Sequence, residues 1–487
     1  MQALKNNLFE KGYHDKCLGK TFQTIFICFV LGFLITVNSQ RLVTAAWSSN
    51  THENTAICTA SGQQSSLQIV SDGAGGVIIA WEDTRNVHFD IYAQRVDAHG
   101  NVLWKKDGVS ICSAPENQNR PRIVSDGSGG AIITWHDVRN GISNSDIYAQ
   151  HIDADGNVQW TKDGIPVCAV ANAQNSPCIA TDGAGGAIII WQDFRTNYAD
   201  LYAQRINKNG ESLWAKDGVL VCGTSGAQGA PVVVVDGVGG IIVVWQDFRR
   251  TYADIYAQRV DGSGKTAWER SGVALCNAPG HESFPVITGN GAEGAIVAWV
   301  DTRNGNNDVF AQQVDGNGTV QWLTNGIPVC TVSGNQNYPV MVSDGAGGAI
   351  LAWWDMRSGD FNIYAQRIDL TGNALWVKDG LAVCVEANIQ NCAYISSDGS
   401  GGAIISWNDN RVSAFDVYVQ RVDPKGLAKW NNNGVAVSTA FDTQCFPVTI
   451  NDGTGGAIII WQDSRDSDKS YWDVYAQKIN GQGSLGD

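Results

Sequence analysis

Paired acidic and basic side chains recur along this chain in the element Trp-x-Asp-x-Arg. Such a pair could form a buried ion pair or cap the backbone, and its guanidinium fork could instead hold a carboxylate or a sugar in every repeat. Because a residue that every repeat needs is usually architectural, the sequence favours the ion pair or cap over eight binding pockets. The element occurs eight times, at spacings of 54 or 56 residues, beginning at Trp81, Trp135, Trp191, Trp245, Trp299, Trp353, Trp407 and Trp461.

The segment Asp-Ala-Asp-Gly-Asn at 153–157 looks like the start of a calcium-binding loop. Such loops need more oxygen ligands and a bidentate Glu further on, and none follows here. The equivalent turn at 207–210 reads Asn-Lys-Asn-Gly, which places Lys208 at the candidate ligand position. The pattern therefore predicts a hairpin turn, and we expect neither a metal site nor a cofactor.

One amide side chain per repeat lies eight residues before the Asp of a Gly-rich turn, in the segment that joins one repeat to the next. Backbone capping is the favoured role, because such connections carry unpaired peptide groups, and a ring of ligand-binding amides is the alternative. Glu282 replaces the amide in the fifth repeat and follows His281, so this pair is a candidate binding site. The amides are Gln64, Gln118, Gln174, Gln228, Gln336, Gln390 and Gln444.

Aromatic residues break the repeat symmetry at the position just before the third predicted strand. Four repeats carry a large ring there, and these repeats are contiguous only if the array closes into a ring. Trp354, a tryptophan outside the repeat pattern, lies in one of them. An aromatic arc would suit a sugar or a partner protein, whereas the alternative is that each ring packs under its own loop. The four residues are Phe361, Phe415, Trp472 and Phe89.

The repeat between Pro177 and Cys222 shows which elements position these residues. It has no sustained helical period, and its second apolar run is unbroken, which is typical of a strand covered on both faces. Four antiparallel strands per repeat predict a β-propeller blade, with a stacked β-solenoid as the competitor. The predicted strands are Pro177–Thr181, Ala187–Trp191, Asp200–Ile206 and a last one that carries Trp214 and runs on to Cys222.

The two ends of the sequence hold complementary parts of one repeat. The eighth repeat opens its third strand at Asp473, and the tryptophan of its fourth strand would fall where the sequence stops. Trp47 and the following Ala-Ile-Cys match the missing part, so we expect that residues 47–58 complete the blade of residues 445–487 and remove an exposed sheet edge. The predicted fold is all-β: a single eight-bladed β-propeller of four-stranded antiparallel blades, velcro-closed by an N-terminal strand.

The turn and tryptophan at 153–160, Asp-Ala-Asp-Gly-Asn-Val-Gln-Trp, resemble the tryptophan-docking repeat of eight-bladed quinoprotein-type propellers, with a turn one residue shorter. This resemblance implies architecture only, since the adjacent Cys-Cys pair of the quinoprotein site does not occur in the sequence. The whole repeat, Trp-x-Asp-x-Arg followed by Asp-Ile-Tyr-Ala-Gln-Arg, resembles that of an uncharacterised family of bacterial exported β-propellers. That resemblance implies an exported propeller and no particular activity.

The N-terminal residues read as a targeting segment. Four lysines precede an apolar stretch that runs from Phe22 to Val37, so residues 1–39 are predicted to be a signal peptide and residues 40–487 the propeller. We expect a secreted, periplasmic or cell-surface monomer, in contact with a membrane only if this segment stays uncleaved. The net charge of −15 argues against nucleic-acid partners, which attract Lys and Arg.

Most cysteines beyond the signal segment share one repeat position. Equivalent positions in neighbouring blades lie about 10 Å or more apart, which is too far for a disulfide, so these thiols are expected to be small buried hydrophobes. Spacing leaves local disulfides open for Cys168–Cys178 and Cys384–Cys392. The seven repeat cysteines are Cys58, Cys112, Cys168, Cys222, Cys276, Cys330 and Cys384.

The function predicted from these patterns is that of an exported, non-catalytic binding or scaffold module for a carbohydrate or a protein, at the cell envelope or outside the cell. An exported propeller enzyme, such as a glycoside hydrolase or lyase, is the alternative. Glycosidases need two unique carboxylates, whereas nearly every Asp here belongs to a repeated set, and no Walker, HExxH or GxSxG element occurs. Unique carboxylates clustered at one channel mouth would favour the enzyme.

Overall fold

The structure, a computed structural model, describes residues 47–412, 414–466 and 471–486. These residues form thirty-two β-strands and one short 3-10 helix, Ile142–Asn144. The strands are β1 (Thr55–Cys58), β2 (Gln64–Ser71), β3 (Val77–Asn86), β4 (His88–Val96), β5 (Val109–Cys112), β6 (Gln118–Ser125), β7 (Ala131–Asp137), β8 (Asp146–Ile152), β9 (Ile165–Cys168), β10 (Gln174–Thr181), β11 (Ala187–Asp193), β12 (Asp200–Ile206), β13 (Val219–Cys222), β14 (Gln228–Val235), β15 (Ile241–Asp247), β16 (Asp254–Val260), β17 (Val273–Cys276), β18 (Glu282–Gly289), β19 (Ala295–Asp301), β20 (Asp308–Val314), β21 (Ile327–Cys330), β22 (Gln336–Ser343), β23 (Ala349–Asp355), β24 (Asn362–Ile368), β25 (Leu381–Cys384), β26 (Gln390–Ser397), β27 (Ala403–Asp409), β28 (Asp416–Val422), β29 (Val435–Ser438), β30 (Gln444–Asn451), β31 (Ala457–Asp463) and β32 (Asp473–Ile479).

Eight four-stranded antiparallel sheets form the blades of a ring, which confirms the predicted all-β, eight-bladed propeller. Blades 1 to 7 each use four consecutive strands, starting at β2, β6, β10, β14, β18, β22 and β26. The eighth sheet mixes strands from the two ends of the chain, in the order β1-β32-β31-β30. Ala56 of β1 pairs with Tyr475 of β32. The first strand of each blade contacts that of the next blade, including blade 8 with blade 1.

The second strand of each blade is buried because its neighbours cover both of its faces. In blade 3, residues 187–191 of β11 are buried, and the Asp182 side chain caps the preceding turn by accepting the N–H groups of Ala184 and Gly186 at 2.8 and 2.7 Å. Three predicted bounds were wrong. The first strand begins at Gln174 instead of Pro177, and the second ends at Asp193 instead of Trp191. Trp214 lies outside the fourth strand, and its indole N–H donates to the Gly262 carbonyl of the next blade.

The Trp-x-Asp-x-Arg element forms a buried ion pair in every blade, as predicted. In blade 3, the Asp193 carboxylate accepts the Trp191 indole N–H at 2.8 Å and the Arg195 guanidinium at 2.6 and 2.9 Å. The guanidinium lies 3.8 Å from the centroid of the Tyr202 ring and also donates to the Sγ of Cys168 in the preceding blade. The element therefore joins neighbouring strands and neighbouring blades, which accounts for its eightfold repetition.

The second tryptophan of each repeat joins one blade to the next. Trp104 donates its indole N–H to the Ala154 carbonyl at 3.0 Å, in the turn of blade 2. Gly156 in that turn has φ +84° and lies so close to the indole that an added Cβ would be 2.7 Å from Trp104 Cγ. The close approach explains why glycine follows the acidic pair in this turn.

Gly156→Ala is expected to lower the free energy of unfolding by about 2–4 kcal/mol, because it adds a clash with Trp104 to the penalty for a positive φ. Urea unfolding followed by tryptophan fluorescence measures the change. Gly127→Ala is the matched control, since Gly127 has φ +76° but open space around it, and it should cost only about 1–2 kcal/mol. Equal losses in the two variants would contradict the role of Trp104 contact.

The ten cysteines within the described part of the chain are free thiols, including both pairs that spacing had left open. Cys168 contacts the Asp193 carboxylate, whereas the Sγ of Cys178 lies 2.8 Å from the Pro231 carbonyl in the next blade. Burial raises the pKa of the Cys222 thiol to about 12. Such thiols are unreactive near neutral pH.

The predicted signal peptide, residues 1–39, lies outside the described residues. Among the residues that the structure describes, no helix has the length and the hydropathy needed to cross a bilayer.

Candidate functional site

The first strands of the blades line a central channel, and a cavity of about 500 Å³ opens within it. Residues from blades 2 to 7 contribute to the cavity walls, among them Arg120, Arg122, Phe284, Tyr338 and Trp354. A second cavity of about 340 Å³ shares Arg122 with the first and is otherwise lined mainly by apolar side chains. Volumes of this size are typical of small-ligand sites.

A bulge interrupts each first strand near its start, and in blades 2 to 6 the third residue of this strand lines the 500 Å³ cavity. The third residue of the first strand has a left-handed backbone conformation in all eight blades, with φ between 47° and 56°, although none of the eight residues is glycine. This conformation costs a non-glycine residue of the order of 1 kcal/mol. The residue type at this position differs between blades, so the eightfold repeat becomes asymmetric here. The residues are Ser66, Arg120, Ser176, Ala230, Phe284, Tyr338, Cys392 and Phe446.

Four rings from blades 5 and 6 form a continuous cluster at the channel mouth, here named the aromatic cluster: Phe284, Tyr338, Trp354 and Phe361. The centroids of Phe284 and Tyr338 are 4.6 Å apart, and those of Tyr338 and Trp354 are 4.4 Å apart. Phe361 meets Trp354 edge-on at 6.0 Å. Phe284 and Tyr338 remain 46 % and 44 % exposed, so the cluster presents an open apolar face.

In other blades, the side chain at the position of Trp354 binds the backbone of the neighbouring blade. In blade 3, the equivalent Gln192 donates its side-chain N–H to the Gln228 carbonyl at 2.9 Å. Among the residues that the structure describes, no acceptor lies within hydrogen-bond distance of the buried Trp354 indole N–H. An unsatisfied buried donor costs about 1–3 kcal/mol, which reduces what this tryptophan contributes to stability.

Polar side chains from blades 1 to 3 lie at the same mouth. Arg120 donates to the Ser176 hydroxyl at 2.9 Å, and its backbone N–H is bound by the Glu82 carboxylate at 2.5 Å. Burial, assisted by the charge of Arg120, lowers the pKa of His136 to about 4, so this imidazole is neutral at pH 7. The channel mouth therefore combines a cationic, polar side with an aromatic side.

The predicted ring of amides caps the connections between blades, which confirms the favoured interpretation. Gln64 donates its side-chain N–H to the carbonyls of Gly62 and Ala60, at 2.9 and 3.3 Å. Its side-chain oxygen is buried and has no hydrogen-bond partner within the described parts of the chain, and the same holds for the other six amides. These side chains are fully buried and do not line the described cavities.

The predicted pair His281 and Glu282 does not form one site. His281 is exposed and lies edge-on to Phe248, with ring centroids 6.1 Å apart, whereas Glu282 is fully buried. Burial, and then the nearby Asp301 carboxylate, raise the pKa of Glu282 to about 8. The carboxyl group is therefore mostly neutral at pH 7 and substitutes for an amide of similar shape.

Glu282, Cys276 and Asp301 bring three potential metal-ligand atoms within 4.8 Å of one another. The Arg303 guanidinium already binds two of these groups, at 3.0 Å from Cys276 Sγ and 2.5 Å from an Asp301 oxygen. A metal cation would have to compete with this positive charge. The donor set thus fits the repeated ion pair better than a metal centre.

The structure places the predicted aromatic arc around the blade connections. Trp354 and Phe361 meet in the aromatic cluster, but Phe89, Phe415 and Trp472 make no ring contact with them within the described ranges. Phe89 and Phe415 are half-buried, and Trp472 lines a separate cavity of about 450 Å³ together with Phe446. The backbone carbonyls of Phe415 and Trp472 accept an N–H from the next blade, at 2.7 and 2.8 Å.

Sequence reasoning missed Arg120, Arg122, Phe284 and Tyr338. Each belongs to a first strand, at its third or fifth residue, and comparison of these positions across the eight repeats would have shown the change from small to charged or aromatic residues. The predicted aromatic arc occupies a different position, just before the third strand of each blade. That position includes Phe361 but not the bulge residues.

No family model and no curated protein matches the sequence. Among solved structures, an ulvan lyase covers 89 % of this chain and 97 % of its own, with 10 % identity and a TM-score of 0.47. A puromycin-hydrolysing peptidase from Mycobacterium tuberculosis covers 86 % and 61 %, with 11 % identity and a TM-score of 0.47. An α-L-arabinofuranosidase from Fusarium graminearum covers 74 % and 92 %, with 9 % identity and a TM-score of 0.36. Likenesses of this size carry no argument about activity.

Proposed function

We propose that this protein is an exported, non-catalytic binding module that holds a carbohydrate at the mouth of its central channel. The observation that carries the proposal is the aromatic cluster, a set of four packed rings, two of them exposed, at the point where the eightfold repeat becomes asymmetric. Sugar rings present C–H faces that pack on aromatic rings, while their hydroxyls need polar partners nearby. Arg120 and Ser176 supply such partners in the same cavity.

The composition of the cavity favours binding over hydrolysis. Glycoside hydrolysis needs two carboxyl groups on opposite sides of the scissile bond. The described residues that line the 500 Å³ cavity include no Asp or Glu, and the nearby Glu82 carboxylate is occupied by the Arg120 backbone N–H and the Ser65 hydroxyl. Export rests on the basic and apolar pattern of residues 1–39.

Tyr338→Asn should weaken binding of a glycan at least about tenfold, since it removes the central ring of the aromatic cluster. Asparagine tolerates the left-handed backbone of this position, so the variant removes the ring with little added strain. A glycan array identifies ligands of the purified protein, and isothermal titration calorimetry then compares wild type and variant.

Phe446→Asn provides the matched control, because Phe446 has the same backbone conformation and is 54 % exposed but lies outside the aromatic cluster. It should bind the glycan like wild type. Loss of binding in Phe446→Asn with normal binding in Tyr338→Asn would move the site to the cavity of Trp472 and contradict the proposal. New reducing ends or unsaturated uronides during incubation would show an enzyme, and capture of proteins without any glycan binding would show a protein scaffold.

A further inference from the structure

Arg122 is a charged residue inside a channel whose walls are mainly apolar. It is the fifth residue of its first strand, and the equivalent residues in blades 4, 5 and 6 are valines that line the same cavities. Bulk water screens charges poorly in such surroundings, so an opposite charge brought into the channel would interact strongly with this guanidinium. The other residues at this position are Gln68, Cys178, Val232, Val286, Val340, Tyr394 and Val448.

The guanidinium of Arg122 has no anionic partner within the described parts of the chain. Its Nη1 donates to the adjacent Pro121 carbonyl at 3.2 Å, and the Cys178 thiol lies beside it. Most of its five N–H donors therefore remain available for a ligand. By contrast, the guanidinium of Arg195, which belongs to the repeated Trp-x-Asp-x-Arg element, donates to the Asp193 carboxylate and to the Asp217 carbonyl.

The titratable groups that face Arg122 are neutral near pH 7. Burial raises the pKa of the Cys178 thiol, and this thiol is further engaged with the Pro231 carbonyl. Burial also raises the pKa of Tyr394, which lines the second cavity and is 39 % exposed. The positive charge of Arg122 is therefore not compensated by its neighbours.

We infer that Arg122 binds the acidic group of the ligand, so that the preferred ligand is an acidic saccharide, a uronate or a sulfated sugar. The inference rests on the proposed function and specifies its ligand class. Arg122 lines the same cavity as Phe284, Tyr338 and Trp354 of the aromatic cluster, so one sugar ring can stack on Tyr338 while its carboxylate or sulfate reaches the guanidinium. A guanidinium fork binds either group through two parallel hydrogen bonds, which are about twice as strong as neutral ones.

The test compares binding of an oligogalacturonate, a sulfated galactan and a neutral galactan by isothermal titration calorimetry. Wild type should bind at least one acidic polymer about ten- to a hundredfold more tightly than the neutral one, and the preferred polymer distinguishes carboxylate from sulfate. Arg122→Gln should abolish that preference, so that the acidic and the neutral polymer bind with similar affinity. Arg270→Gln removes the same charge from an exposed arginine outside the cavities and should behave like wild type.

Retention of the acidic preference in Arg122→Gln, with binding intact, would overturn the inference while the proposed function stands. A thermal melt of Arg122→Gln matching wild type excludes unfolding as the cause of any loss. If no saccharide binds, the proposed function fails, and titration with inorganic sulfate then tests Arg122 directly through its Nε–H NMR resonance. A shift of that resonance would support an anion site, and its absence would overturn it.

Discussion

Glu282→Gln is expected to raise the free energy of unfolding by about 5 kcal/mol near pH 8 and by only about 1 kcal/mol near pH 4. The variant restores the amide found at the equivalent position of the other seven blades. It adds an N–H that can reach the carbonyls of Ala278 and Gly280, the blade 5 equivalents of the Ala60 and Gly62 carbonyls that accept from Gln64, a gain of about 1 kcal/mol at any pH. The remaining gain depends on pH, because the substitution removes a carboxyl group that resists ionisation in the folded protein.

The sign of the pH dependence follows from the raised pKa of Glu282. Below pH 4.5 the carboxyl is protonated in both folded and unfolded chains and contributes no difference. Between pH 4.5 and about 8 the unfolded chain loses this proton while the folded protein keeps it, so wild-type stability falls as the pH rises. Each pH unit in that window is worth about 1.4 kcal/mol, so the penalty reaches about 4 kcal/mol near pH 8.

Urea unfolding of wild type and Glu282→Gln at several pH values measures this difference. Gln228→Glu is the reciprocal control, since it introduces the carboxyl into the equivalent buried position of blade 4. It should destabilise the protein increasingly as the pH rises through the same window. A stability difference between Glu282→Gln and wild type that is constant from pH 4 to pH 8 would show that Glu282 ionises normally.

The sequence predicts most of the fold because its signals are local and repeated eight times. The buried run Ala187–Trp191 and the third strand Asp200–Ile206 match the structure closely, since continuous apolar residues and flanking turns define them. The first strand was placed too late, because Pro177 suggested a strand start. In the structure the strand begins earlier and contains a bulge between Asn175 and Cys178, where Ser176 has a left-handed conformation. The residue types at this bulge do not predict that conformation.

The site was less predictable because it depends on distances between repeats. Trp354 and Phe361 belong to one blade, and their meeting follows from the pairing of adjacent strands. Phe284 comes from the neighbouring blade, and only the bulge geometry brings it to Tyr338. The separation of His281 from Glu282 is a further example, because alternate side chains of an extended segment point to opposite sides.

Asp193→Ala is expected to lower the free energy of unfolding by about 3–5 kcal/mol, the usual range for removing one partner of a buried ion pair. The substitution leaves the Arg195 guanidinium without its carboxylate and the buried Trp191 indole N–H without its acceptor. It also removes the acceptor for the Arg195 backbone N–H, at 2.9 Å. Urea unfolding followed by circular dichroism measures the loss.

Glu293→Ala tests whether burial is what makes the Asp193 ion pair important. Glu293 lies 3.0 Å from the Arg259 guanidinium, a separation similar to that in the buried pair, but its side chain is 52 % exposed. Exposed pairs contribute about 0–1 kcal/mol, since water solvates both charges when the pair is broken. Similar losses in the two variants would show that the repeated element stabilises the ring through its charges alone. A loss several times larger in Asp193→Ala would instead attribute the stabilisation to buried hydrogen bonds, which an eightfold ring needs in every blade.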